Sequence, residues 1–250
     1  MSKRLISTAT ALAVLSTPVA AFDLDAMSKA ERDAFGKAVR GYLLENPEVI
    51  MEAVRVLEDR QAAETAQNDV AMVEAHKAAL FDDGYSYVGG NPDGDVTIVE
   101  FVDYRCGFCR RAHDEVAELI ASDRNIRIIT KEFPILGPDS QASSEFAIAV
   151  KHVAGLDAYK RASDALIRLK AEMNEAAMRR LANTLSVDAD AVLNAMKSDK
   201  VKAEIAQTRA LAQSLQINGT PTFVFGDQLV RGYKSLAEMR QFVADAREDS

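Results

Sequence analysis

Val96-Thr97-Ile98-Val99-Glu100-Phe101-Val102-Asp103-Tyr104-Arg105-Cys106-Gly107-Phe108-Cys109 runs from a β-branched stretch straight into two cysteines. Residues 96–102 read as a strand with apolar groups on both faces, Val96, Ile98 and Val102 on one and Val99 and Phe101 on the other. Such two-sided burial is the pattern of a central strand covered by helices. A helix follows Cys106 to about Ala121, and Ile126, Ile128 and Ile129 mark a second strand ending near Pro134, which makes a β-α-β unit. Upstream, the cluster Gly89-Gly90-Asn91-Pro92-Asp93-Gly94-Asp95 has the composition of a turn. Downstream, residues from Pro138 to about Leu215 show only helical patterning, with Gly155 and Asn183 as breaks. The chain then gives Thr222–Phe225, a Gly226-Asp227 two-residue hairpin turn, Gln228–Arg231 and a last helix capped by Ser235 with Glu238.

Cys106 and Cys109 are the only cysteines in the 250 residues. A disulfide-stapled scaffold and a zinc site of three or four thiolates are therefore excluded. Three-residue spacing at a helix start brings two sulfurs within disulfide reach and leaves Cys106 beyond the helix N-terminus, exposed to attack a partner. Unpaired helical amides and the macrodipole favour its thiolate, so Cys106 is the expected nucleophile and Cys109, one turn inside, the resolving thiol. A purely structural disulfide would close almost no loop. Haem attachment needs His after the second cysteine, where this chain has Arg110. A metal site from Cys106, Cys109 and His113 is the rival reading of the same thiols, and it would make the protein a copper-handling module. His113 also reads as a packing or solvated residue, and His76 and His152 have no evident partners.

Glu100 shares the strand face of Ile98 and Val102, so its carboxylate is expected to be buried and harder to ionise. Placed six residues before Cys106, it can take and return the proton of the resolving thiol. An edge strand with Glu100 facing water is the bland alternative. Lys131 on the neighbouring strand could neutralise it or be solvated. Gly219-Thr220-Pro221-Thr222 places proline at the first residue of a strand, where a cis bond would present the Thr220 backbone to an extended peptide.

The N-terminal 21 residues place Lys3 and Arg4 before an apolar run from about Leu5 to Leu15 and the small-residue stretch Val19-Ala20-Ala21. This order is that of a cleaved secretory signal, because an apolar run of roughly 11 residues is too short to span a bilayer. Cleavage moves the net charge from −8 to −10, which disfavours nucleic acid as a partner, and places the chain in an oxidising compartment. Residues 22–82 form a helical extension, with helices expected at about 29–45 and 47–80. Ile50, Val54 and Leu57, then Val70, Val73 and Leu80 at a shifted phase, make a stripe too thin for a core of its own. It can pack on the following domain, or pair with the same segment of other subunits and make a homo-oligomer.

With these residues in hand, Tyr85 to about Ala246 resembles the DsbA-like branch of the thioredoxin superfamily. The carriers are Glu100-Phe101-Val102-Asp103-Tyr104, Cys106-Gly107-Phe108-Cys109, Lys131-Glu132-Phe133-Pro134 and Gly219-Thr220-Pro221-Thr222-Phe223. The resemblance implies an α/β thioredoxin-like fold over residues 83–250 with a helical domain inserted at about 138–215. It also implies that Pro221 is the family's cis-proline, that Glu100 is its buried acid, and that Thr220, Pro221, Gly107 and Phe108 meet the substrate. No cofactor is implied. The implied partners are client proteins bearing thiols or disulfides and a membrane redox partner of DsbB or DsbD type. Gly107-Phe108, without a positive neighbour, looks closer to the Gly-Tyr of the DsbC isomerases than to the Pro-His of strong oxidants, and this leans the expected activity toward isomerisation. The segment Tyr42-Leu43-Leu44-Glu45-Asn46-Pro47-Glu48-Val49-Ile50 is similar to the extension of ScsC-type proteins and of relatives described as outer-membrane antigens. That likeness implies a periplasmic location, with association at the outer membrane, and an oligomerising role for residues 22–82.

Overall fold

The structure, a computed structural model, describes residues 27–248, so the expected signal at 1–21 lies outside the described residues. It separates into two compact units, one up to Asp59 and one from Arg60 onward. In the first, α1 (Lys29–Glu45) opens on a capping box: the Ser28 amide donates to the Glu31 carboxylate at 2.8 Å, and Ser28 Oγ accepts from the Glu31 amide. Asn46 closes α1, and α2 (Glu48–Ala75) starts directly after Pro47. No residue of α1 is buried; Tyr42 and Leu44 are 57% and 64% exposed, and Ile50, Val54 and Leu57 at the start of α2 are also exposed.

The second unit holds the rest of α2, α3 (Lys77–Phe81) and a five-stranded sheet in the order β1-β3-β2-β4-β5. β2 (Val96–Val102) is central, parallel to β3 (Ile126–Glu132) and antiparallel to β4 (Thr222–Phe225). β5 (Gln228–Arg231) completes a hairpin through Gly226, whose φ of 59° suits glycine. One sheet face packs Ile98, Ile128 and Phe223 under α4 (Gly107–Asp123) and α9 (Leu236–Glu248), through Val116, Leu119 and Met239. The opposite face buries Val99 and Phe101 against Val73, Leu80 and Leu211. Between β3 and β4 lie α5 (Pro138–Arg168), α6 (Glu175–Thr184), α7 (Ala189–Met196) and α8 (Asp199–Ser214), three of them capped by Asn174, Asp188 and Ser198. This is the thioredoxin-like fold with a helical insertion.

Several expectations need correction. The helix expected over 47–80 is interrupted at His76, where φ −112° and ψ 16° leave the helical region. The interruption re-aims the chain so that Val73 and Leu80, 2% and 0% exposed, both reach the sheet. Gly89-Gly90 is not turn but the end of an edge strand, β1 (Tyr87–Gly90), antiparallel to β3. Gly90 has φ 69°, and a Cβ there would lie 2.3 Å from the Ile126 carbonyl oxygen, so close backbone approach required a residue that reads as turn-forming. Gly155 breaks α5 with φ 83°, as expected, whereas Asn183 lies inside α6 and the left-handed residue that follows is Ser186.

Candidate active site

Cys106 is the N-cap of α4, extended at φ −73° and ψ 123°, so the helical turn that follows carries Cys109 back toward it. The cap gives Cys106 the free amides of the first turn. Its thiolate is held down to about 5, chiefly by the Cys109 thiol, then by the Thr220 side chain and the amides of Cys109 and Phe108, with burial opposing. Helix amides were the expected cause; the neighbouring thiol outranks them. Cys109, fully buried, is pushed strongly upward by donating to Cys106 and by burial, and the Glu100 carboxylate adds to the effect. The two thiols, both free, are thus driven in opposite directions by one contact. Cys106 is not the projecting residue expected from sequence: it is 6% exposed. Thr220 covers it, its carbonyl oxygen accepting from Cys106 Sγ at 3.1 Å, and the Thr220-Pro221 bond is cis. Beside the sulfurs Phe108 is 61% exposed, and a Cβ on Gly107 would meet nothing within 4 Å, so one open face remains.

Asp103, which sequence reasoning passed over, fixes the loop beneath. Its carboxylate accepts from the amides of Arg105, Ile135 and Leu136 and from Ser140 Oγ, at 2.8 to 3.1 Å, tying the dithiol loop to the β3–α5 connection. Arg105 and Arg110 flank the cysteines, yet Arg105 Nη1 and Nη2 and Arg110 Nε and Nη2 donate to the carbonyls of Leu169, Ala171 and Tyr104, and Arg105 also faces the Asp139 carboxylate at 3.5 Å.

Glu100 is 8% exposed, and burial, followed by the nearby Glu132 carboxyl, pushes it up to about 7, with Lys160 pulling the other way. It lines a cavity of about 220 Å³ together with Tyr104, His113, Tyr159, Lys160 and Ser163. Lys131 does not neutralise it. That ammonium is wholly buried, donating to Asp83 at 2.5 Å and to the Ala79 carbonyl at 2.7 Å, because alternation along β3 turns it away from the Glu100 face. Glu132, one residue on, does share that face; it too was missed, since a charged pair at a strand end reads as solvated. His113 turns to Asp164 at 2.9 Å. Among the described residues no group of three His, Cys, Asp or Glu side chains is placed to hold a metal ion. His152 is not partnerless: its Nε2 is 2.6 Å from Glu204 Oε1.

The family described as DSBA-like thioredoxin domain matches residues 97–244, from the central strand through the dithiol, the helical insertion and α9. The chain belongs to this family. A second match, the copper resistance protein ScsC N-terminal domain, covers residues 31–64. Among solved structures, a thioredoxin-like oxidoreductase from Silicibacter pomeroyi is 39% identical, covering 69% of this chain and 98% of that one with a TM-score of 0.64. The thiol-disulfide exchange protein alpha-DsbA2 from Wolbachia pipientis is 28% identical, covering 73% and 97% with a TM-score of 0.68. The curated Na(+)/H(+) antiporter NhaA 3 of Salinispora tropica is 29% identical over 139 residues, which are 55% of this chain and 21% of that protein. The chain thus spans only about a fifth of the length of that relative.

Proposed function

We propose that this DsbA-family chain is an exported protein thiol-disulfide oxidoreductase acting through Cys106 and Cys109. The observation that carries the reading is the opposed polarisation of the two thiols, Cys106 held down to about 5 and Cys109 pushed up. In the reductive direction the Cys106 thiolate attacks a client disulfide, forming a mixed disulfide and releasing one client thiolate. Cys109 gives its proton to Glu100 and its sulfur attacks Cys106 Sγ, expelling the second client thiolate. The dithiol is then oxidised by two electrons and the client reduced by two. Run backward, the same steps donate a disulfide; stopped at the mixed disulfide, they permit reshuffling. The client's extended backbone lies along Thr220 and Pro221, with its side chains against Phe108.

The isomerising direction is favoured by Gly107-Phe108 and by the exposed apolar residues of α1 and early α2, which a second copy of the chain would cover. Joining catalytic units around one client raises the local thiol concentration. Clients with mispaired disulfides, a DsbD- or DsbB-type membrane donor and a periplasmic setting belong to this reading; no helix among the described residues is long and apolar enough to cross a membrane. The equilibrium potential of the dithiol against glutathione tests it, since family potentials span about −270 to −120 mV. A pair that forms no disulfide at any glutathione ratio, or that forms no mixed disulfide with a client peptide in the Cys109→Ala variant, would overturn it.

A further inference from the structure

Two carboxyls, not one, lie beneath the dithiol. The β2–β3 register sets Glu100 opposite Thr130 and Val102 opposite Glu132, so the acids stand on the same sheet face, two residues apart along neighbouring parallel strands. Their surroundings differ. Glu100 opens on the 220 Å³ cavity, while Glu132 lines only a void of about 10 Å³, and Tyr159 borders both. Glu132 Oε1 accepts from the hydroxyls of Tyr104 and Tyr159, each at 2.6 Å. Tyr104 stands two residues before Cys106, and its carbonyl accepts from Arg110 Nε at 3.2 Å, so Glu132 grips the loop that carries the nucleophile.

The other oxygen, Oε2, is buried, and its neighbour is the equally buried Ser144 Oγ on α5, a hydroxyl that has no other partner and can donate to it. Burial, the larger influence, keeps Glu132 hard to ionise and pushes it up to about 7, against the hydroxyls of Tyr104, Tyr159 and Ser144, which favour its charge. The cations around the pair are committed elsewhere. Lys151 on α5 binds Glu204, Lys160 on α5 binds Asp164, which also holds His113 of α4, and Lys131 of β3 binds Asp83. With no cation paired to either acid, simultaneous ionisation of both would be costly.

We propose that Glu132 is a positioning residue for thiol exchange, anchoring the Tyr104 loop and sharing one proton with Glu100 so that Glu100 remains able to accept and return the proton of Cys109. The inference rests on the exchange reaction proposed above. Glu100, facing the cavity, trades the shared proton with solvent; Glu132, sealed by Tyr104 and Tyr159, sets how tightly Glu100 holds it. The ionised partner repels charge on Glu100, so the two titrate as a pair with apparent values belonging to neither alone.

Carboxyl carbon-13 titration of the full reduced chain reads this directly. In the parent, Glu100 should titrate in two steps. In Glu132→Gln, whose amide can still accept from both tyrosines and donate to Ser144, it should titrate in one step displaced downward by about 1 unit or more, the coupling that two-step titration requires. The pH profile of mixed-disulfide resolution should move by the same amount. Tyr159→Phe removes one donor to Glu132 Oε1 without changing shape, so it should raise the Glu132 step and lower that of Glu100 even if the glutamine variant fails to fold. A Glu100 titration with unchanged midpoint and shape in whichever variant folds overturns the proposal. Absence of exchange by the parent chain overturns the functional reading instead, whatever the titrations give.

Discussion

At the scale of single residues, the chemistry turns on where protons rest. Cys106 has its folded value near 5 against roughly 8.5 for a free thiol, so its thiolate stabilises the reduced fold fully above the unfolded value and loses that contribution as pH falls through about 5. The stability difference between the reduced parent and Cys106→Ser should therefore grow with pH across that interval, as urea midpoints would record; a constant difference would refute the assignment. Replacing Cys109 by Ala should raise the midpoint of thiolate absorbance by a unit or so, since the largest stabilising contact is gone. Glu100 has the opposite sign. Its folded value, about 7, lies above the unfolded carboxyl value, so its contribution is present in acid and is lost as pH rises through about 7. Glu100→Gln should accordingly be more stable than the parent above pH about 8, while its mixed disulfide resolves about 10²-fold more slowly, the usual cost of losing a general base. A variant that resolves at the parent rate at neutral pH would leave Glu100 a packing residue.

At the scale of elements, the face on which a strand residue lands decides its fate. Lys131 and Glu132 are adjacent on β3, yet one is buried with Asp83 and the other with two tyrosines. Lys131→Met keeps most of the apolar stem and removes the charge, leaving the Asp83 carboxylate, which is 8% exposed, without its ion. Unfolding free energy should fall by about 3 to 5 kcal/mol, and the double variant with Asp83→Asn should recover part of it. Equal losses in the single and double variants would show that the pair contributes nothing as a pair. The sequence left Lys131 open between Glu100 and solvent because its true partner is 48 residues upstream, outside any local pattern.

For the whole molecule, the division between Asp59 and Arg60 separates the two fates weighed for the apolar stripe. Val73 and Leu80 belong to the core against Val99 and Phe101, and Asp69 pairs with Arg231 at 2.6 Å, whereas Ile50, Val54 and Leu57 stay exposed. Removing residues through 82 would strip the sheet of that cover; removing them through 59 would not. The chain from residue 22 onward should scatter light as an oligomer, and both the truncation at 59 and Leu57→Asp should reduce it to monomers that oxidise dithiols but have lost most of their ability to rescue a scrambled-disulfide protein. A monomeric parent at micromolar concentration would remove the oligomeric part of the reading.

What the sequence determined by itself was whatever local patterning encodes: the central strand through its two apolar faces, the dithiol at a helix start, the hairpin, the capped helices and the burial of Glu100. Those features depend on period and on residues within a few positions of one another. The edge strand at Tyr87–Gly90, the Asp103 clamp, the Thr220 cover over Cys106 and the carboxyl beside Glu100 were decided only by tertiary structure. Each joins segments about 30 or more residues apart: Gly90 with Ile126, Asp103 with Ile135 and Ser140, Cys106 with Thr220, Tyr104 with Glu132. A charged or glycine-rich stretch carries no sign of such a partner, because its cost in isolation is repaid by groups that arrive only when the sheet has closed.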